Sequence, residues 1–183
     1  MFKLIKKMDY KKSVWKNGQG TTEEIYINPE TAIFPHEKFS FRLSTATIQG
    51  ENEFSLFPGY QRILTVIDGL GLILNEKPLR LEEIFQFSGD EKIICKPFSS
   101  HTVDLGIIFN DKLVDAEMQL LQFGELKIEL DPKKHYFLVC TEGLLYANSV
   151  MVKRFETVHF YDEDSIELKS PDVIAMLITI SSR

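Results

Sequence analysis

KFSFRLSTATI, residues 38–48, alternates as a half-buried strand does: Phe39, Phe41 and Leu43 fall on one face, Ser40, Arg42 and Ser44 on the other. Downstream, RILTVIDGLGLILN (62–75) carries two apolar, β-rich runs around Asp68-Gly69-Leu70-Gly71, a pattern that reads as a hairpin. EKIICK, HTVDLGIIF, AEMQLLQF, ELKIEL, HYFLVC and DVIAMLITI follow. Turn signals separate the runs at Asn75-Glu76, Ser88-Gly89-Asp90, Asn110-Asp111, Asp131-Pro132 and Glu142-Gly143. No segment holds an apolar 3.6-residue period long enough for a helix. The pattern predicts an all-β sandwich or barrel. An apolar strand followed by an acid-Gly turn occurs twice, in VIDGLGLIL and LVCTEGLLY, which weakly suggests a duplicated unit.

A chain of 183 residues fits one domain, or two intertwined halves, and 44% hydrophobic residues with 14 Phe suffice for a sizeable core. A net charge of −6 argues against nucleic acid as a partner. The one basic cluster, Lys3, Lys6, Lys7, Lys11 and Lys12, reads as a solvated N-terminal strand and loop. Cys95 and Cys140 sit in apolar runs and read as small buried hydrophobes. MFKLIKKMDY lacks the apolar core of a signal peptide, and no apolar run approaches the roughly 18 residues of a membrane span. The expectation is a cytoplasmic protein with no membrane partner.

VWKNGQGTTEEI (14–25) holds the only tryptophan beside a glycine-rich turn. A phosphate-binding loop requires a helix after the glycines, and TTEEIYI is strand-like, so that reading fails. Asn17-Gly18 suits a tight turn. Trp15 is then either a core plug or one wall of a small-molecule site. Arg42 would stand in a cavity lined by hydroxyls if its polar face turns inward, and on the surface if the phenylalanines do. Arg62, after Phe57-Pro58-Gly59, is a rim charge or an anion donor. Asp104, inside HTVDLGIIF, must face water or pair with an arginine, Arg42 or Arg62. His36, His101, His135 and His159 are scattered, and Tyr60, Gln61 and Arg62 stand where a cupin metal-ligand strand would begin, so no metal and no cofactor are expected. No GxSxG occurs, and neither cysteine has a histidine beside it.

Taken in order, Trp15-Lys16-Asn17-Gly18 with Gly20 and Thr22, Phe41-Arg42-Leu43-Ser44-x-Ala46, Phe54-Ser55-x-Phe57-Pro58-Gly59-x-x-Arg62 and Asp68-Gly69-x-Gly71 resemble the HutD/Ves family of cupin-like bacterial proteins. Weaker echoes lie at Phe87-x-Gly89-Asp90 and Asp104-Leu105. The family tends to have Gly at Gln19, Arg at Glu23, Asp at Gln61, Asn at Gly106 and Met at Ile108. The resemblance implies a cupin-like double-stranded β-helix in a bicupin arrangement, two β-barrel halves in one globule. The first, approximately 1–110, would carry the family motifs and the second would span 111–183. It further implies a role in sensing or governing histidine utilisation, with formylglutamate as proposed ligand, or in stress responses.

The leading expectation is a metal-free binding protein for a small acidic metabolite, with Trp15, Asn17, Arg42, Ser44, Arg62 and Asp104 lining the pocket. One alternative is a metal-independent isomerase or hydrolase of a small organic acid, using Asp104 or His101 as general acid/base. The spacing of those two places them on opposite faces of a strand. Another is a protein-binding stress-response regulator that works through its β surface. Homo-oligomers are possible in each case.

Overall fold

The computed structural model describes every residue except Ser100. It is built of strands, with a single 3-10 turn at Lys7–Asp9 among the described residues. The chain divides into two compact units. One comprises Lys11–Val114; the other joins Met1–Tyr10 to Asp115–Arg183. The first ten residues therefore belong with the C-terminal unit, not with the N-terminal half in which the sequence reading placed them. Their strand, β1 (Phe2–Ile5), pairs with Thr157–Phe160.

The Lys11–Val114 unit holds β2 (Lys11–Val14), β3 (Gly20–Asn28), β4 (Phe41–Ile48), β5 (Asn52–Glu53), β6 (Gln61–Asp68), β7 (Leu72–Leu74), β8 (Lys77–Leu79), β9 (Ile84–Ser88), β10 (Ile94–Pro97) and β11 (Thr102–Phe109). Six of these form an antiparallel sheet in the order β2-β3-β4-β11-β6-β9, and four form another, β5-β10-β7-β8. Ile48, Leu64, Val66 and Phe87 of the first sheet pack in one cluster with Leu72, Leu74, Leu79 and Cys95 of the second. Directly opposed residues in paired strands share a face. The register Ala46↔Asp104↔Val66 and Arg42↔Ile108↔Arg62 thus puts two arginines and an aspartate on the face that carries this cluster. Leu43, Thr65, Leu105 and Ile107, of the other parity, are buried as well.

The C-terminal unit adds β12 (Val114–Gln122), β13 (Glu125–Glu129), β14 (His135–Ala147), β15 (Val150–Lys153), β16 (Thr157–Phe160), β17 (Ser165–Lys169) and β18 (Val173–Ser182) to β1. HYFLVC is only the start of β14. The strand bulges between Cys140 and Glu142 and runs on, so that its first part pairs with β16 and β18 and its last with β15 and β17. Tyr136, Leu138, Cys140, Phe160, Ala175 and Leu177 form its apolar core.

Asp68-Gly69-Leu70-Gly71 is not a hairpin. β6 and β7 belong to different sheets, and the chain uses these residues to cross between them. Gly69 has φ +97, and a Cβ there would lie 2.6 Å from the His101 carbonyl oxygen. Gly143, inside β14 and opposite Val173, shares the close approach but not the crossing, with φ +79 and a Cβ position 2.4 Å from the Asp172 carbonyl oxygen. The acid-Gly recurrence thus marks two places where backbone approaches backbone too closely for any side chain.

The true hairpin follows, at Asn75-Glu76 between β7 and β8, and it too is repeated. Asn75 and Asn148 both have φ 45. Each accepts a backbone N–H through its side-chain oxygen, from Ile94 at 2.8 Å and from Glu167 at 2.9 Å. Asparagine is among the few residues that tolerate this left-handed conformation. Asn75→Ala and Asn148→Ala are each expected to lower the urea-unfolding free energy by about 1–2 kcal/mol. The glycine variants should cost less, because only the side-chain bond is lost; equal losses for alanine and glycine would show that backbone conformation contributes nothing.

Candidate functional site

β4 brings Arg42 inside by the period-two alternation alone: Arg42, Ser44, Ala46 and Ile48 point one way, and Ile48 is fully buried. Arg42 is 6% exposed. Its Nε donates to Glu24 Oε2 at 2.7 Å, Nη1 lies 3.4 Å from Ser44 Oγ, and the guanidinium rests 3.9 Å from the centre of the Phe34 ring. Burial lowers its pKa, and the Glu24 carboxylate opposes that fall. Arg42 is thus satisfied from within the protein, by a residue that sequence reasoning did not single out. Glu24 follows Thr22 by two on β3, opposite Ser44. A carboxylate at the parity of a buried polar face was the available signal.

Arg62 is held differently. Its guanidinium lies 4.9 Å from the centres of the Phe54 and Phe87 rings and 5.7 Å from that of Phe57. Among the described residues its one hydrogen bond goes from Nη1 to the Ser55 carbonyl oxygen, at 3.3 Å. Three aromatic faces and one carbonyl satisfy a planar cation only in part, and no carboxylate of the described residues lies within hydrogen-bond reach of it. Burial draws its pKa down to about 10, against the pull of Asp104, and Arg42 lowers it further.

Asp104 is buried, and its Oδ1 accepts the Ala46 backbone N–H at 3.1 Å. Burial pushes its carboxyl up to about 7, although Arg62 and the Ala46 amide both favour the charged form. Cys95 stands near Asp104 and Arg62, and burial followed by the Asp104 charge raises its thiol above the usual range. It is a neutral member of the cluster.

Trp15 is half-buried at the margin of the apolar cluster, and its Nε1 donates to Thr22 Oγ1 at 2.8 Å. Its ring lies where a side chain on Gly20 would be: a Cβ there would sit 2.9 Å from two ring carbons and 2.4 Å from the Thr47 carbonyl oxygen. Asn17 is exposed, and its Oδ1 accepts the Gln19 N–H at 3.0 Å, closing its own turn with Gly18 at φ +70. The structure therefore brings together Arg42, Ser44, Arg62 and Asp104, sets Trp15 beside them, and leaves Asn17 on the turn. His101 is exposed and lies 3.8 Å from Asp68, away from this group.

Among the described residues no three His, Cys, Asp or Glu side chains gather where a metal ion could bind. In the C-terminal unit, His135 Nδ1 and His159 Nε2 meet at 3.0 Å. Burial, His135, Lys3 and the N-terminal ammonium hold His159 down at about 3, so its ring is neutral at pH 7. No helix is long and apolar enough to cross a membrane.

The pair Arg42–Glu24 is buried, so removing one partner leaves the other charge uncompensated. Glu24→Ala is expected to cost about 3–5 kcal/mol of unfolding free energy in urea, and the double variant Glu24→Gln/Arg42→Met to recover much of it. A loss no larger for the single variant than for the double one would mean the pair is not coupled. Gly20→Ala should destabilise by about 1–3 kcal/mol through overpacking. It should also shift the emission of Trp15, the sole tryptophan, towards the red; unchanged emission would place the ring elsewhere.

The HutD family model matches residues 7–181. A 21.2 kDa protein encoded in the hutC 3′ region of Pseudomonas putida is 36% identical over 121 residues, 63% of this chain and 62% of that one. Protein Ves of Citrobacter koseri is 35% identical over 86 residues, 44% of this chain and 43% of that one. The chain thus spans less than two thirds of the length of these curated relatives. The structure of HutD from Pseudomonas fluorescens SBW25, titled as a formate condition, superposes with a TM-score of 0.87 at 25% identity, covering both chains completely. Likeness of fold alone extends to the cupin 2 conserved barrel domain protein of Leptotrichia buccalis, with a TM-score of 0.56, 11% identity and 93% and 92% of the two chains covered. The all-β architecture is cupin-like, and the chain belongs to the HutD family.

Proposed function

We propose that this HutD-family chain binds a small carboxylate metabolite in the interior of the Lys11–Val114 unit, and that it serves histidine utilisation as a sensor or regulator, not as a catalyst. The observation that carries the reading is the contrast between the two arginines. Arg42 already holds a carboxylate, Glu24, whereas Arg62 has the aromatic surround of a ligand clamp and one carbonyl for a partner. A planar guanidinium in partly dry surroundings is suited to gripping a carboxylate edge-on. Formylglutamate, the ligand that the family resemblance suggests, offers such a group.

Gly106 is the position on this face where a larger side chain would reach towards the charged group. It sits on the inner face between Ser44 and Leu64, and a Cβ there would meet only ordinary contacts, 3.7 Å from the Ile63 carbonyl oxygen and 3.8 Å from Leu64 Cβ. The C-terminal unit differs: Tyr136, Leu138, Cys140 and Ala175 belong to its core, and its buried polar side chains, Thr141, Thr157, His159 and Ser170, include no arginine or carboxylate among the described residues. The repeated acid-Gly close approach at Gly69 and Gly143 and the repeated asparagine hairpin support reading the two units as the two halves of a bicupin, of which the first would bind and the second would be structural.

The test is a thermal-shift titration with N-formyl-L-glutamate, urocanate, histidine and glutamate. A ligand at about 100 times its Kd is expected to stabilise the native state by roughly 2.7 kcal/mol. The shift should vanish in Arg62→Met, and also in Gly106→Val, which fills the site while leaving its charges intact. A shift that survives both variants would move binding out of this interior. Asp104, with its carboxyl near 7, is the group that favours a second reading, general acid/base chemistry on the same acid. Turnover of the bound ligand, lost in Asp104→Asn, would establish it.

A further inference from the structure

We infer that the site takes up one proton with each carboxylate it buries, and that Asp104 is the group that receives it. The inference rests on the carboxylate-binding reading above and concerns how that binding responds to pH.

Four charged side chains share this face among the described residues. β3 contributes Glu24, β4 Arg42, β6 Arg62 and β11 Asp104; β10 contributes the Cys95 thiol, which is neutral. β9 presents the Phe87 ring opposite Arg62. Two cations and two anions balance, but unevenly. Arg42 and Glu24 are hydrogen-bonded to one another. Arg62 acts on Asp104 through space, with no hydrogen bond between them. Asp104 has one hydrogen bond, from Ala46 to Oδ1, and its other oxygen has none among the described residues.

A ligand carboxylate that settles on Arg62 completes that cation's coordination. It also places two carboxylates in the field of one half-buried guanidinium, one of them the buried Asp104. Two like charges in such a site do not both stay ionised; one takes a proton. The ligand's carboxylate is fixed by Arg62, so the proton goes to Asp104, which burial has already brought to about 7. Protonated Asp104 then carries an O–H that can donate to a ligand oxygen, which the ionised form cannot. Glu24 is not the acceptor, because it is bound directly to Arg42 at 2.7 Å.

The sign follows from linkage. If the bound state holds one more proton than the free state, affinity falls as pH rises through the free-state pKa of Asp104. Formate is the probe, since it is the smallest carboxylate and stays ionised throughout the range used. Its binding would be followed by NMR on the labelled full chain between about pH 6 and pH 9, at constant ionic strength with chloride as the replaced anion. Kd is expected to be nearly flat below about pH 7 and to rise close to tenfold per pH unit above it. Asp104→Asn, isosteric and uncharged, should bind formate with a flat profile and more tightly than wild type at the upper end of the range. Calorimetry at about pH 8 in phosphate and in Tris should show uptake of close to one proton by wild type and none by the variant.

A wild-type Kd that is constant across the range would overturn the inference while leaving the binding reading intact. A pH-dependent Kd that persists unchanged in Asp104→Asn would also overturn it, by placing the proton elsewhere. If neither protein binds formate at any pH while formylglutamate also fails to stabilise the chain, the binding reading falls and the inference falls with it.

Discussion

The organising constraint is that a strand's side chains alternate, so a sheet buried on both faces must bury whatever its polar positions hold. β4 alternates Phe41, Leu43 and Thr45 with Arg42, Ser44 and Ala46, and both sets are shielded from solvent to a large degree. An arginine placed inside in this way is tolerable only with a partner. Glu24 on the neighbouring strand supplies it for Arg42, with Ser44 and the Phe34 ring completing the surround. The β6 arginine meets the same requirement less fully, through aromatic faces and a single carbonyl. That inequality separates a fully paired arginine from a partly paired one, and nothing about either residue type distinguishes them beforehand.

Much of the architecture was legible from alternation and turn chemistry. Every apolar run picked out between residues 38 and 180 lies in or overlaps a strand. What alternation could not show is which sheet a strand joins. Asp68-Gly69-Leu70-Gly71 has the composition of a hairpin, yet it carries the chain from one sheet to the other, because turn residues report backbone conformation and not the identity of the partner strand. β16 also escaped notice: TVHF is short and contains a histidine, and only its place between β1 and β14 explains why His159 is buried.

The shared face was legible in its residues and not in its pairing. Arg42 and Asp104 stand out as charges inside strands and Arg62 as a charge at a strand's entrance after Phe57-Pro58-Gly59, and the three share one face. Asn17 was nominated from a motif, and its side chain closes the turn instead. Glu24, and the place of the motif phenylalanines Phe54, Phe57 and Phe87 around Arg62, depend on register, which a single sequence does not carry: Glu24 stands opposite Ser44, and Phe87 opposite Arg62. A bulge between Glu24 and Tyr26 shifts β3 by one residue against β4, so parity counted from one end of that strand misassigns the other.

The position of β1 has a consequence for synthesis. Residues 2–5 form a sheet edge with Thr157–Phe160, so they complete their unit only after the strand some 150 residues later has been made. Lys11–Val114 contains all of its own strand partners and can fold while the remainder is still being translated. Phe2 and Leu4 meanwhile wait without their partner strand for the time taken to add some 150 residues, roughly ten to thirty seconds at ordinary elongation rates. The alternating Lys3, together with Lys6 and Lys7, sets charge beside that waiting segment, which is how exposed strand edges are commonly kept from pairing with the wrong chain.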